Sequence, residues 1–441
     1  MTALERLGAH AVGGCRGLPS AVRDAVRLHT ADTVGAWIAA GGTAEGRALQ
    51  RFAPEWNPGG EGISGRVALG CALARCSEAD DIHLSSGTTP GALVVPAALA
   101  IGAEFEAQGE DLAEAIAAGY DLVTRLGSAL RGPEILYRGI WPTYLAAPFG
   151  VAAVAARLMG LDERQTAHAL AIALALSSPA VGRQSGAGVS RWLAIGNAAR
   201  NGVAAALSAQ AGFTGDLRLF EGEFFAGVYR LSPDLEALVA KPGESAAVTR
   251  TSFKPWCAAR QTMAAAQALK EIAGEGVTPS AMSEIAVAVP PPYLRMIDHG
   301  VVPGDRASFL TSVSCQMALA VLDPDAGVTQ APESLPEALR GLMAKVSVTA
   351  DESLLTHYPG SWPARVSVVA SGGKREKLVL HVPGDPERPL GEAELGEKFR
   401  RLTSPVVGEG AAEDLLRSSL AALDDSPLAL LEAIEASRSV V

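Results

Sequence analysis

The chain has 441 residues, of which 48% are hydrophobic but only 5% aromatic, and its formal net charge is −11. That length exceeds one ordinary hydrophobic core, so two or three domains are expected, with interiors of Ala, Leu and Val that suit closely packed helices. The acidic balance argues against a nucleic-acid partner, which needs clustered Lys and Arg, yet a small anionic ligand can still find a locally basic site.

The five cysteines (Cys15, Cys71, Cys76, Cys257 and Cys315) form no CxxC pair and no zinc-like spacing with histidine, so no metal is expected. Their odd number fits a reducing, cytoplasmic setting. The N-terminus lacks the basic region and apolar core of a signal peptide. The most apolar run, 167–181, contains His168, Ser177 and Ser178. It is shorter than the roughly 20 residues that span a bilayer, so a buried helix is expected and no membrane partner.

In chain order, residues 1–60 read as helices separated by Gly-rich breaks, with Val22, Val26, Val34 and Trp37 on an apolar face. A short helical pattern over 64–74 runs into Glu78-Ala79-Asp80-Asp81-Ile82-His83. A polar loop, Ser85-Ser86-Gly87-Thr88-Thr89-Pro90-Gly91, then leads to an apolar helix over 92–101. Three carboxylates beside a histidine are the residue types of acid–base catalysis. The competing reading is an exposed turn whose carboxylates cap a helix, and composition favours it.

Helical periodicity continues over 110–130, 146–159, 163–176 and 192–211, the third opened by a capping box of Asp162 and Gln165. The 163–176 segment is apolar on nearly every side and should lie centrally. Two loops interrupt this region. One is Arg138-Gly139-Ile140-Trp141-Pro142-Thr143. The other is Gly182-Arg183-Gln184-Ser185-Gly186-Ala187-Gly188-Val189-Ser190-Arg191. Its glycines allow close backbone approach to a ligand, and its arginines offer bidentate recognition of a carboxylate. No phosphate-loop pattern follows a strand there.

Beyond Gly243 strand-like alternation sets in at 285–289, 345–348, 365–369 and 377–382, the last two joined by a hairpin at Ser371-Gly372-Gly373-Lys374. Helices are expected between them at 262–272 and 308–322, and again after Gly391. At the junction, Lys254-Pro255-Trp256-Cys257-Ala258-Ala259-Arg260-Gln261-Thr262 sets two cations, a thiol and an amide beside a helix that Thr262 is expected to cap. Free N–H groups and the helix dipole there suit an anion; the plain alternative is a solvated loop. Cys257 has no histidine near it in sequence and is expected to be a buried, inert thiol.

Several of these stretches match one family in order along nearly the whole chain. They are Asp80-Asp81-Ile82-His83-Leu84 with Pro90-Gly91, Gly139 with Pro142-Thr143, Gly196-Asn197-Ala198-Ala199, and Gly212-Phe213-Thr214-Gly215. Further on come Lys254-Pro255-Trp256, Arg260-Gln261-Thr262, Trp362-Pro363, Gly384-Asp385-Pro386 and Glu397-Lys398-Phe399. Together they resemble the 2-methylcitrate dehydratase (MmgE/PrpD) family, which also includes cis-aconitate decarboxylase and iminodisuccinate epimerase. The resemblance implies a mainly α fold, with a large all-helical domain from residues 1–248 and 389–441. A smaller α+β lid domain would be inserted at 249–388. It further implies a homodimer that needs no metal or redox cofactor and moves a proton next to a carboxylate in a small acid. The active site would lie between the domains, gathering the acidic loop, the Arg191 segment and Lys254.

The chain departs from that pattern. Thr89, Trp141 and Met263 stand where the family usually has histidine; Arg191 and Ala194 correspond to a lysine and a histidine; Glu78 and Ile82 correspond to an aspartate and a threonine. An arginine can clamp a carboxylate but cannot act as a base at working pH. The expectation is therefore a lyase or isomerase acting on a small carboxylic acid or specialised metabolite. Lys254 would exchange the proton, with Asp80, Asp81 or His83 as partner. Glu78, Thr88, Thr89, Trp141, Arg183, Gln184, Arg191, Cys257, Arg260, Gln261 and Met263 would bind substrate. Epimerisation, double-bond isomerisation or cyclisation fits the lost histidines better than elimination of water, while the resemblance keeps lyase chemistry open. The alternative from another class is a non-catalytic binding or scaffold relative.

Overall fold

The apolar periodicity of the first 210 residues produces a layered set of helices in the computed structural model, which describes residues 1–58, 62–178, 188–240, 246–323 and 331–438. Ala3–Gly13 and Glu163–Ala175 are each opened by a capping box, from Thr2 with Glu5 and from Asp162 with Gln165. The Glu163–Ala175 helix buries Thr166, Ala167, Ala169, Leu170, Ala171, Ala173 and Leu174 but exposes Glu163, Arg164 and Ala175, so it is buried along one broad face and not on nearly every side.

Small residues let the helices come close. A Cβ on Gly202 would lie 2.5 Å from the Pro148 carbonyl oxygen, and one on Gly196 would lie 2.7 Å from that of Ala68. The Ser190–Gln210 helix therefore packs tightly on both Pro142–Leu158 and Ile63–Cys76. The helix expected to start at 146 begins at Pro142 instead, so Pro142 and Thr143 are helical. A proline in the first turn has no N–H to leave unsatisfied, which is why it can open the helix.

Residues 1–181, 189–253 and 391–441 form one helical unit. Its C-terminal helices are Glu392–Val407, Glu409–Leu420 and Pro427–Arg438. A buried ion pair ties that segment to the N-terminal region: Lys398 Nζ lies 2.5 Å from Asp32 Oδ1, although 366 positions separate the two residues. Among the described residues, no helix is long and apolar enough to cross a membrane.

The second unit, built on Lys254–Leu390, is α+β. Its strands are β1 (Met282–Val289), β2 (Val346–Ala350), β3 (Ala364–Ala370) and β4 (Gly373–Val379). They form a sheet in the order β2-β1-β3-β4, with β1 parallel to β2 and the other pairs antiparallel. The Arg260–Gly274 helix packs on β3, on β4 and against the Val313–Leu322 helix. Two expectations are corrected here. The last strand is shifted toward the N-terminus, because Gly373, with φ of +99°, pairs with Ala370 across Ser371-Gly372, so His381 and Val382 lie beyond it. The 308–322 helix is broken at Ser312, whose hydroxyl caps the second half by accepting the Cys315 N–H.

Candidate functional site

The acidic loop is buried, which overturns the exposed-turn reading. After the Ile63–Cys76 helix, Glu78 adopts φ of +60°, a left-handed conformation uncommon for a non-glycine residue. The turn lets Arg75 Nη1 reach Glu78 at 3.0 Å and Asp80 at 3.1 Å. Burial alone would lower the Arg75 pKa, but the Asp80 and Glu78 charges raise it further, so Arg75 stays a cation.

Asp81 serves a separate, fully buried cluster. Its Oδ2 accepts the Tyr120 hydroxyl at 2.6 Å and lies 2.8 Å from His29 Nδ1, while its Oδ1 accepts the Gly91 N–H at 2.8 Å. His29 stacks on Phe253 at 4.1 Å between ring centres. Burial and the Asp81 charge push the Tyr120 phenol well above its ordinary pKa. These three protein partners fix the loop that carries Asp81 to the start of the Gly91–Glu104 helix. Gly91 is required there: a Cβ would fall 2.6 Å from Asp81 Oδ2 and 2.7 Å from both Thr33 Oγ1 and the Tyr120 hydroxyl. Sequence reading missed His29 and Tyr120. The available signal was a set of polar residues (His29, Thr30, Asp32, Thr33) in the half of the Ser20–Ala39 helix that leads into the apolar run 34–39.

His83 Nδ1 lies 2.9 Å from Ser86 Oγ, which in turn is 2.6 Å from Thr88 Oγ1. Burial, with the Arg250 charge second, pushes the His83 pKa down to about 4, so its imidazole is neutral at pH 7 and is no proton donor there. Thr89 donates both its N–H (3.2 Å) and its hydroxyl (3.4 Å) to Thr143 Oγ1.

A second cluster forms where the first turns of Pro142–Leu158 and Ser190–Gln210 meet the last turn of Ile63–Cys76. The Arg191 guanidinium sits 4.4 Å, and that of Arg75 5.5 Å, from the centre of the Trp192 ring. Tyr144 meets Trp141 edge-on at 5.5 Å. Burial raises the Tyr144 pKa and keeps the phenol protonated, against the pull of the nearby Arg75 and Arg191 charges. The Tyr144 hydroxyl, the indole N–H groups of Trp141 and Trp192, and Nε of Arg75 and of Arg191 are buried without a hydrogen-bond partner among the described residues. Such groups are costly to leave unmatched, and all but the hydroxyl can only donate. The set can therefore receive ligand oxygens. Tyr144, Trp192 and Arg75 had no sequence signal of their own, since aromatic and basic residues on helices ordinarily pack or solvate.

The remaining predicted residues belong to the second unit. Lys254, Cys257, Gln261 and Met263 are all buried. Arg260 Nη2 donates to Asp385 Oδ2 at 2.7 Å in a pair with no exposed surface, and the Val382 N–H shares that carboxylate. Asp385 is the counter-charge of Arg260, while Nε and Nη1 of Arg260 are buried without a hydrogen-bond partner among the described residues. Gln261 Nε2 reaches Met296 Sδ at 3.4 Å. The helix begins at Arg260, two residues earlier than expected, so Thr262 does not cap it; the Thr262 hydroxyl donates to the Ala259 carbonyl at 2.8 Å. Arg183 and Gln184 lie outside the described residues. Among the described residues, no group of three His, Cys, Asp or Glu is placed to hold a metal ion. A cavity of about 440 Å³ in the helical unit, lined by residues including Trp37, Gln50, Asn57, Arg66 and Glu435, contains none of the predicted site residues.

Comparison with known proteins agrees with this architecture. Residues 14–234 match the MmgE/PrpD N-terminal domain and residues 256–422 match the MmgE/PrpD C-terminal domain. A curated relative, the cis-aconitate decarboxylase-like protein oryM of Aspergillus oryzae, is 26% identical over 171 residues. That match takes in 37% of this chain and spans only 35% of the relative's length. Two domain matches in sequence order, together spanning most of the chain, show that this chain belongs to the MmgE/PrpD family.

Proposed function

We propose that this protein is a lyase or isomerase that holds a small carboxylic acid through Arg191 and moves a proton next to the bound carboxylate. The observation that carries this reading is the Arg191 guanidinium, nearly buried on the Trp192 ring, with no carboxylate paired to it among the described residues. A desolvated cation without a protein counter-charge is costly unless a ligand anion completes it. Removing a proton beside a carboxylate places negative charge on oxygen, and cations and N–H donors in a water-poor site stabilise that charge. The family, and a relative named as decarboxylase-like, support lyase chemistry as the class. In this reading Lys254, which is buried, is the group that exchanges the proton.

The test is incubation with cis-aconitate, citrate and succinate in deuterated water, followed by proton NMR. Deuterium uptake next to a carboxylate, or loss of carbon dioxide or water, is expected. Arg191→Leu should weaken binding by about tenfold to a hundredfold, the equivalent of one lost charge-assisted contact. Lys254→Ala should abolish exchange while leaving binding intact. Tight binding with no exchange or turnover would sink the enzyme reading and favour a ligand-binding relative. The neutral His83 and the non-titrating Thr89, Trp141 and Met263 are the features that would suit that second reading.

A further inference from the structure

Titratable side chains are absent at Thr89, Trp141, Ala194 and Met263, yet charge developing on a substrate oxygen still has to be stabilised. One buried group in the Arg191 cluster has both the chemistry and the freedom to do so. Tyr144 lies in the first turn of Pro142–Leu158, is fully buried, and sits edge-on to Trp141. Its hydroxyl has no hydrogen-bond partner among the described residues, and the buried indole N–H of Trp192, on the adjoining Ser190–Gln210 helix, is in the same state. A tyrosine kept only for packing would leave an O–H unsatisfied at a cost that phenylalanine avoids.

We infer that Tyr144 is a catalytic hydrogen-bond donor, which together with Arg191 binds the oxyanion formed when the substrate loses a proton. The inference rests on the carboxylate reading of the Arg191 site. In the step, the carbon–hydrogen bond next to the carboxylate breaks and its proton passes to a basic side chain. The bonding electron pair moves onto the carboxylate oxygens as an enediolate. Tyr144 keeps its proton throughout and shares it in a hydrogen bond that shortens as the oxygen charge grows, so no oxidant or reductant takes part. Burial, which holds the phenol in its protonated form, suits a donor and not a base. The substrate class that follows is a carboxylic acid with an acidic carbon–hydrogen bond adjacent to the carboxylate. Its enediolate oxygens face Arg191 and Tyr144.

The experiment compares two probes on the whole protein by calorimetry: succinate as a ground-state carboxylate, and 3-nitropropionate added as its preformed nitronate, which mimics an enediolate. The wild type should bind the nitronate more tightly than succinate. Tyr144→Phe should weaken nitronate binding by at least about tenfold, on the order of the loss of one oxyanion donor, while changing succinate binding by less than about threefold. Arg191→Leu should weaken both. The Tm of Tyr144→Phe should equal or exceed that of wild type, because the hydroxyl has no protein partner to lose and its unmatched burial is relieved, and this separates a site effect from misfolding. Equal losses for both probes, or no loss for the nitronate, would overturn the role of Tyr144 while leaving the carboxylate reading intact. A wild type that binds neither probe would overturn both.

Discussion

Replacing Lys398 with methionine probes how the two ends of the helical unit are held together. Lys398 is 3% exposed, and its ammonium contacts Asp32 at 2.5 Å and the Ala79 carbonyl at 2.9 Å. Asp32 Oδ2 has no other partner among the described residues, so the substitution strands a buried carboxylate. Breaking one side of a buried pair costs about 3–5 kcal/mol. At roughly 2–4 °C per kcal/mol, and toward the low end for so large a unit, Tm should fall by roughly 6–12 °C. The pH dependence has a definite sign. Burial raises the Asp32 pKa while Lys398 holds it down, so removing Lys398 raises it further. Above the unfolded value of about 3.9 the unfolded chain ionises Asp32 while the folded variant resists, and stability is lost as pH rises. The deficit should therefore be largest at pH 7 and shrink toward about pH 4. The double variant Asp32→Leu, Lys398→Met removes both charges and should recover most of the loss, because an apolar pair of similar volume is often neutral or better. Calorimetric melting of the wild type and the two variants at both pH values is the assay. A single-variant deficit below about 2 °C at pH 7, or one that grows on acidification, would refute the reasoning.

Three further outcomes are expected. Gly91→Ala drives a methyl group to 2.6 Å from Asp81 Oδ2, and overpacking of this kind should cost about 1–3 kcal/mol, seen as a lower Tm; an unchanged Tm would contradict the geometry. His83, with its pKa depressed to about 4, contributes stability that is fully present above about pH 6.5 and is lost as pH falls toward 4, and NMR should find its imidazole neutral at pH 6. A signal from this residue titrating near 6.5 would show that the imidazole is solvated. Asp385→Asn removes the counter-charge of the unexposed Arg260 and should destabilise the α+β unit by about 3–5 kcal/mol in chemical denaturation, whereas a loss under about 1 kcal/mol would mean that Arg260 has other support.

The sequence by itself determined the class of fold, because its signals are local. The apolar run within 163–175, the capping box at Asp162 and the strand alternation near 285 and 365 each act within a few residues and reappear as a helix and strands. The ordered motifs from Asp80 to Phe399 likewise carried the family. Tertiary structure decided which polar residues are sealed in and with whom. Asp80 and Asp81 are adjacent in sequence yet serve different partners, one held by Arg75 and the other by His29, Tyr120 and Gly91. Arg260 meets Asp385 across 125 positions, and Lys398 meets Asp32 across 366. Tyr144 and Trp192 emerge as unmatched donors only once three helices have packed around them. Burial and charge pairing depend on distant segments arriving in one place, and no local pattern of residues records that arrival.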